Sequence, residues 1–491
     1  MAGYKLIRKK ANKERKKTNK KRIINQDIFK VSIFFAVLFF GMIVFLGYFL
    51  TFDASSVINN TYNKRADNIK KTIKRGTIYS SEWNVLACTE LDEDGNETRV
   101  YPYGEDFFHV VGYESNGGMG LESSYNYYLL STHANIFSKI ASEFTSSKLQ
   151  GDSIHTTLDT GMQTLMNEIL GDNEGAIVAI DPTTGEIYGM VSKPSMDAND
   201  VEAAWADIVS DEDNSVLLNR VTQATLTPGS TFKIFTLLEY YRENNGYTDG
   251  FEYNCEGTLS VDGQTFGCPN GNSHGYENLR SAFAYSCNCA FSYIGKSLDL
   301  TQFAENNEKM LFNTDLDLDI ATKSSSFSLS EDASDFMIMQ TAFGQGETLI
   351  SPIHLAMVTC AIANNGVLMK PHLVSEVVDS DGNTVKKFNN SIYSTLMTTD
   401  EAAFMKDSMR AVVTDGTAVL LSYDGNYYAY GKTGTAETRS NNDENYSHSW
   451  FTGFAENDGK KLVVCAMIEN TDEAGITGVW AVKQIFDYYF N

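Results

Sequence analysis

The chain has 491 residues, 42% of them hydrophobic, which is enough for two or three domains around at least one substantial core and excludes disorder over most of its length. Its formal charge is −24, yet the first 30 residues hold twelve Lys/Arg against two Asp/Glu, a local +10, so the other 461 carry −34. So acidic a body excludes a nucleic-acid-binding role for it.

In chain order, residues 1–30 form a basic tail containing "RKKANKERKKTNKKR". Residues 31–52, "VSIFFAVLFFGMIVFLGYFLTF", carry no charge over 22 positions, long enough to cross a bilayer and longer than a signal-peptide core. No small-x-small cleavage site follows, so we read one retained transmembrane helix. The positive-inside rule keeps the basic tail in the cytoplasm and puts residues 53–491 outside. Residues 53–154 lack strong periodicity and include "RGTIYSSEWNVLA", which we expect to be a stalk or small pedestal.

From about residue 155 the signals sharpen. "AIVAI" and "EIYGMVS", joined by "DPTTG", predict a hairpin, and "YYAYGKTGTAE", "SWFTGFAE" and "KLVVCAMIE" predict three more strands near the C-terminus. Helical patterns occupy 230–242, 281–296 and 351–365 between the two groups. Strands at both ends with helices between predict an α+β domain over 155–491, its antiparallel sheet closed by distant segments and flanked by helices.

Seven cysteines are too few for a disulfide framework in some 440 extracytoplasmic residues. "CEGTLSVDGQTFGC" predicts a hairpin around Asp-Gly across which Cys255 and Cys268 could meet, with free thiols favoured. Cys287, Cys289, Cys360 and Cys465 lie in apolar runs and are expected in the core. No cysteine or histidine spacing resembles a zinc site, and no metal or cofactor is implied.

The chemistry concentrates in three short motifs. "TLTPGSTFK" places Ser230 and Lys233 one helical turn apart, after a Pro-Gly turn that opens a helix. An N-capping serine is the plain reading of Ser230 alone, and with the other motifs we expect it both to start a helix and to be the nucleophile. An anion forming beside it would meet free backbone N–H groups, and the apolar run "IFTLL" can hold Lys233 in the neutral state a base needs. "YSCNCAF" supplies Ser286 and Asn288, a weak Ser-x-Asn pattern that also occurs at Ser124–Asn126 and Ser440–Asn442, where a turn-forming role suffices. "GKTGTAE" supplies Lys432, Thr433, Gly434 and Thr435 on a strand whose small residues admit a ligand backbone; alone it could be a solvated edge lysine.

In this order, Ser-x-x-Lys, Ser-x-Asn and Lys-Thr-Gly form the set found in penicillin-binding proteins and serine β-lactamases. With "LDTGMQTL", "DPTTGEIYGMVSKPSMDAND", "NRVTQATLTPGSTFK" and "TAFGQGETLISPIHLAMVTCAIANNG", residues 155–491 resemble the transpeptidase domain of class B penicillin-binding proteins. The resemblance implies a serine β-lactamase-like fold in which Ser230 attacks the penultimate D-Ala of a peptidoglycan stem peptide, Lys233 takes its proton, and Ser286 relays protons to the leaving amine. Asn288 would hold Lys233 and the substrate amide. Lys432, Thr433 and Thr435 would bind the substrate carboxylate, and the N–H groups of Ser230 and Thr435 would form the oxyanion hole. The implied partners are donor stem peptides, an amine acceptor, β-lactams and a SEDS-type glycosyltransferase in the membrane. Rival readings are a β-lactamase, whose deacylating glutamate would fall in a stretch such as "ENNEKMLFN" (305–313), a D,D-carboxypeptidase, and a non-catalytic β-lactam sensor or wall-synthesis scaffold.

Overall fold

The computed structural model describes residues 2–48, 71–91, 96–135, 140, 142, 144, 147–211, 214–422, 426–439, 445–470 and 475–491. The chain divides into two compact units, residues 1–64 and 65–491. In the first, helix α1 (Ala2–Tyr48) runs from the basic tail into the apolar stretch. Its 21 residues Ile28–Tyr48 have a mean hydropathy of 2.5 and none of the window is buried by protein. At about 1.5 Å per residue this span is roughly 32 Å, the thickness of a hydrocarbon core. Residues 49–52 of the expected span lie outside the described residues.

The second unit is described from residue 71, within the stretch where a stalk or small pedestal is expected. The framework there is a six-stranded sheet ordered Thr384–Lys387, Val374–Val378, Ser153–Thr156, Ile78–Tyr79, Val85–Leu91, Glu97–Val100. Two of its strands come from residues 374–387, so the chain returns to this sheet after building the region beyond residue 155. A buried carboxylate ties the layer together: Glu122 accepts from Arg75 Nε at 2.6 Å and from Arg99 Nε at 2.6 Å. A buried carboxylate is tolerated when paired and hydrogen-bonded in this way.

The second sheet has five antiparallel strands, most of them longer. In chain order these are β1 (Gly175–Ile180), β2 (Ile187–Lys193), β3 (Tyr428–Arg439), β4 (Asn445–Asn457) and β5 (Lys460–Ile468), arranged β3-β4-β5-β1-β2. Both predicted groups of strands thus meet in one sheet, with β1 paired to β5 across nearly 300 residues of sequence. The β4–β5 turn has positive φ at Asp458 (47°) and Gly459 (83°), the combination a tight two-residue hairpin needs. Every position of β1 is buried because helices cover both faces. Pro352–Ala363 is apolar all round and wholly buried against β5, β4 and β1, with Thr359 Oγ1 2.7 Å from Thr452 Oγ1. The C-terminal helix Gly478–Phe490 and helix Thr160–Leu170 pack on the other face.

The helix expected over 281–296 is broken in two, α2 (Leu279–Ala284) and α3 (Asn288–Ser297). Ser286 adopts φ +58°, and Cys287 N turns back to Ala282 O at 2.9 Å, ending the first helix. The Cys287 thiol then caps the second, accepting from Ala290 N at 3.3 Å. Ahead of α2, residues 252–278 form an excursion of two nested ribbons. Glu252–Cys255 pairs with Gly275–Asn278, and Thr258–Val261 pairs with Gln264–Gly267 around the predicted Asp262-Gly263 turn. Cys255 and Cys268 are free thiols with sulfurs 3.7 Å apart.

Candidate active site

The Ser230 turn is fixed by close backbone packing. Gly229 N donates to Gly344 O at 2.9 Å, and Leu226 exchanges two hydrogen bonds with Ile350. Gly229 and Gly344 both have positive φ (53° and 85°), and a Cβ on Gly344 would lie 1.8 Å from Gly229 O. Only glycine fits there. Residues Gly229–Phe232 make one 3₁₀ turn and the α-helix Lys233–Glu243 follows directly. Ser230 is therefore not the N-cap: Pro228 precedes the turn, and the serine hydroxyl instead lies 2.9 Å from Lys233 Nζ.

Lys233 is fully buried at the centre of the site. Its Nζ also reaches Ser286 O at 2.7 Å, Asn288 Oδ1 at 2.7 Å and Ser286 Oγ at 3.2 Å. The two carbonyl-type oxygens can only accept, so they take two N–H bonds of the neutral amine, and its lone pair is left for a hydroxyl proton. Burial is the main force on this group, and it lowers the pKa to about 7. A lysine so placed is free to act as a base near neutrality.

Ser286 is presented by the αL residue between α2 and α3, a conformation that costs a serine about 1–3 kcal/mol and persists where the surroundings enforce it. Its hydroxyl accepts from Lys432 Nζ at 2.8 Å, which also donates to Thr433 O at 3.1 Å. The edge-lysine alternative is thereby set aside, since Lys432 is fully buried over the Phe283 ring. Burial first, and then the Lys233 charge, push its pKa well below the ordinary lysine range. A carboxylate arriving beside it would reverse that pressure.

β3 is the edge strand of the sheet, and it lies against the Ser230 turn. A Cβ on Gly229 would meet Thr435 O at 2.4 Å, and one on Gly434 would meet Thr231 Cγ2 at 2.9 Å. Alternate N–H groups of an edge strand point away from its partner, toward the space a substrate backbone would occupy. Thr433 Oγ1 is 2.6 Å from Thr417 Oγ1, while Thr435 is exposed at the rim. All eight sequence-predicted residues, Ser230, Lys233, Ser286, Asn288, Lys432, Thr433, Gly434 and Thr435, thus converge. Of the two other Ser-x-Asn patterns, Ser124–Asn126 lies in the pedestal, where Asn126 accepts from Arg75, and Ser440–Asn442 lies outside the described residues.

Such a set can perform acyl transfer: a hydroxyl nucleophile, a desolvated amine beside it, a relay hydroxyl, and a second cation on a strand with free donors. Residues 175–487 match the family described as penicillin binding protein transpeptidase domain. The chain belongs to this family. Residues 75–154 match a second description, penicillin binding protein A dimerisation domain. The chain is similar to the peptidoglycan D,D-transpeptidase PbpA of Mycolicibacterium smegmatis, 27% identical over 87% of this chain and 90% of the relative. It is 25% identical to the peptidoglycan D,D-transpeptidase MrdA of Acinetobacter baumannii over 80% of this chain, spanning 66% of that longer protein. Among solved structures, a D,D-transpeptidase domain from Eggerthella lenta superposes with a TM-score of 0.74 at 29% identity, covering 85% of this chain and 98% of the other. Penicillin-binding protein A of M. tuberculosis, solved as a penicillin G acyl-enzyme complex, superposes with a TM-score of 0.74 at 24% identity over 85% and 98% of the two chains, a likeness of fold.

Sequence reasoning did not single out three contributors to the site. Gly267 O accepts from Asn288 Nδ2 at 2.8 Å and so sets the amide orientation; Thr417 pairs with Thr433; Gly344 receives the Ser230 turn. Only the last left a local signal, the glycines of "TAFGQG". The structure also gathers Cys255, Cys268, His274 and Cys287, whose ligand-type atoms all lie within 4.8 Å of one another beside this site. Their separations along the chain, 13, 6 and 13 residues, match no common zinc-binding pattern, which is why spacing alone implied no metal.

Proposed function

We propose that the protein is a membrane-anchored serine D,D-transpeptidase that cross-links peptidoglycan stem peptides through an acyl-enzyme on Ser230, and that β-lactams acylate the same serine. The observation that carries this reading is the arrangement at Lys233, whose amine is fixed by Asn288 and the Ser286 carbonyl with Ser230 Oγ at 2.9 Å. In the first step Ser230 Oγ bonds to the carbonyl carbon of the penultimate D-Ala and its proton passes to Lys233. Backbone N–H groups of Ser230 and Thr435 receive the oxyanion. The C–N bond then breaks, the terminal D-Ala amine takes a proton by way of Ser286, and the peptide remains as an ester. An acceptor amine attacks the ester and restores the serine.

Lys432, with Thr433 and Thr435, binds the terminal carboxylate, and Gly434 keeps the strand close enough for the substrate backbone to lie along it. The basic tail stays cytoplasmic and the transpeptidase unit is extracytoplasmic, where the anchor and pedestal would meet a SEDS-type glycosyltransferase. A β-lactamase is disfavoured by residues 305–313: Glu305 is exposed, Asn306 donates to Glu239, and Asn313 is bonded to the Phe327 backbone. The test is a stem-peptide assay with and without an amine acceptor. Cross-linked product that depends on Ser230 is expected; release of D-Ala with no dimer at saturating acceptor would make the protein a carboxypeptidase.

A further inference from the structure

The 252–278 excursion poses a stability problem that its backbone does not solve. It consists of two ribbons of four-residue strands whose side chains are largely solvent-facing, with Tyr276 88% exposed. Isolated two-stranded ribbons are marginal in water and small excursions of this kind need a staple. Yet this one must stand still, because Gly267 O orients the Asn288 side chain.

Four side chains meet at its base. Cys255 ends one outer strand, Cys268 follows one inner strand, His274 precedes the returning strand, and Cys287 caps α3 between Ser286 and Asn288. The Cys255–Cys268 and Cys268–Cys287 sulfur separations are both 3.7 Å, and Cys255 Sγ lies 3.5 Å from His274 Nδ1. A disulfide needs about 2.05 Å. Zinc–sulfur bonds of about 2.3 Å and zinc–nitrogen bonds of about 2.0–2.1 Å in a tetrahedron place sulfurs roughly 3.8 Å apart and sulfur from nitrogen roughly 3.6 Å apart. These three of the six edges match that tetrahedron, and all four ligand atoms lie within 4.8 Å of one another. Cys289, 3.9 Å from Cys268, is a neighbouring fifth sulfur.

The surroundings fit a metal-bound thiolate as well. Ala290 N donates to the Cys287 sulfur. Glu277 is buried beside the cluster, next to Cys287. A set of three sulfurs and one imidazole suits zinc and does not suit magnesium or calcium.

We propose that Cys255, Cys268, His274 and Cys287 hold one zinc ion that fastens the excursion to the turn carrying Ser286 and Asn288, so that acylation depends on the metal. The metal site stands by itself; the effect on acylation rests on the transpeptidase reading above.

The test uses the full-length chain in detergent. Elemental analysis after zinc loading and desalting should give about one equivalent, and cobalt exchanged into the site should show tetrahedral d–d bands with thiolate charge transfer. His274→Ala and Cys287→Ser should lose both signals, and Cys88→Ser should keep them. Chelator-stripped protein should react with a fluorescent penicillin at least about tenfold more slowly, and zinc should restore the rate. A wild-type chain that stays metal-free, or one two hydrogens lighter through a Cys255–Cys268 disulfide, overturns the site. Stripping without effect on acylation overturns the fastening role. Zinc bound in a chain that no β-lactam acylates supports the site and overturns the transpeptidase reading, so the two failures remain distinct. Should His274→Ala not fold, the wild-type metal content and cobalt spectrum decide.

Discussion

Lys233 is the residue on which the chemistry turns, and its setting predicts a pH profile. Burial lowers its pKa to about 7. Below that pH the amine is protonated and cannot accept the Ser230 proton; above it the lone pair is free. The acylation rate with benzylpenicillin should therefore rise about tenfold per unit up to pH 7 and level off beyond it. A rate unchanged from pH 5 to 8 would mean another base. Lys233→Ala should lower acylation by about 10²–10⁴-fold at pH 8. These residues were legible from sequence because SxxK, SxN and KTG are short and recur in a fixed order. The reading that Ser230 starts the helix as its cap as well as serving as the nucleophile is corrected, because a 3₁₀ turn ahead of the helix hands the cap position to Pro228. The αL conformation of Ser286 also left no local trace, since nothing in "AYSCN" demands a positive φ.

Among the elements, the contact between the Ser230 turn and the Gly344 loop does most to set the nucleophile. Gly344→Ala would put a methyl group 1.8 Å from a carbonyl oxygen at φ +85°. The variant should lose at least about 2 kcal/mol in denaturant unfolding, together with a slower acylation from a displaced turn; wild-type values in both would show that the loop yields freely. Strands β1 to β5 could be read from alternation and Gly-containing turns because both ends of the sheet carry long apolar runs. Helix 281–296 could not be read as two, because its composition is continuous and the break is imposed by tertiary contacts with Lys233 and the excursion.

For the molecule as a whole, charge and hydropathy gave the expectation of a basic tail and an apolar span, while strand alternation and the three motifs gave that of an α+β acyl-transfer region from about residue 155. What sequence did not reveal is that residues 374–387 return to the pedestal sheet, or that three cysteines and a histidine converge, since both depend on contacts between distant segments. The proposed orientation predicts that protease added to intact spheroplasts digests residues 53–491 and spares the basic tail; protection of the transpeptidase unit would reverse the topology. The measurement that bears most directly on the central claim is the intact mass of the chain after incubation with benzylpenicillin, followed in time beside Ser230→Ala. Because Ser230 Oγ caps no helix N–H and its hydrogen-bond partner is Lys233, the variant should lose no more than about 0.5–1.5 kcal/mol and stay folded, so a lost adduct would reflect chemistry. A persistent one-penicillin adduct confined to the wild type is predicted. An adduct on Ser230→Ala, one that hydrolyses within a turnover, or none on either chain would contradict the account.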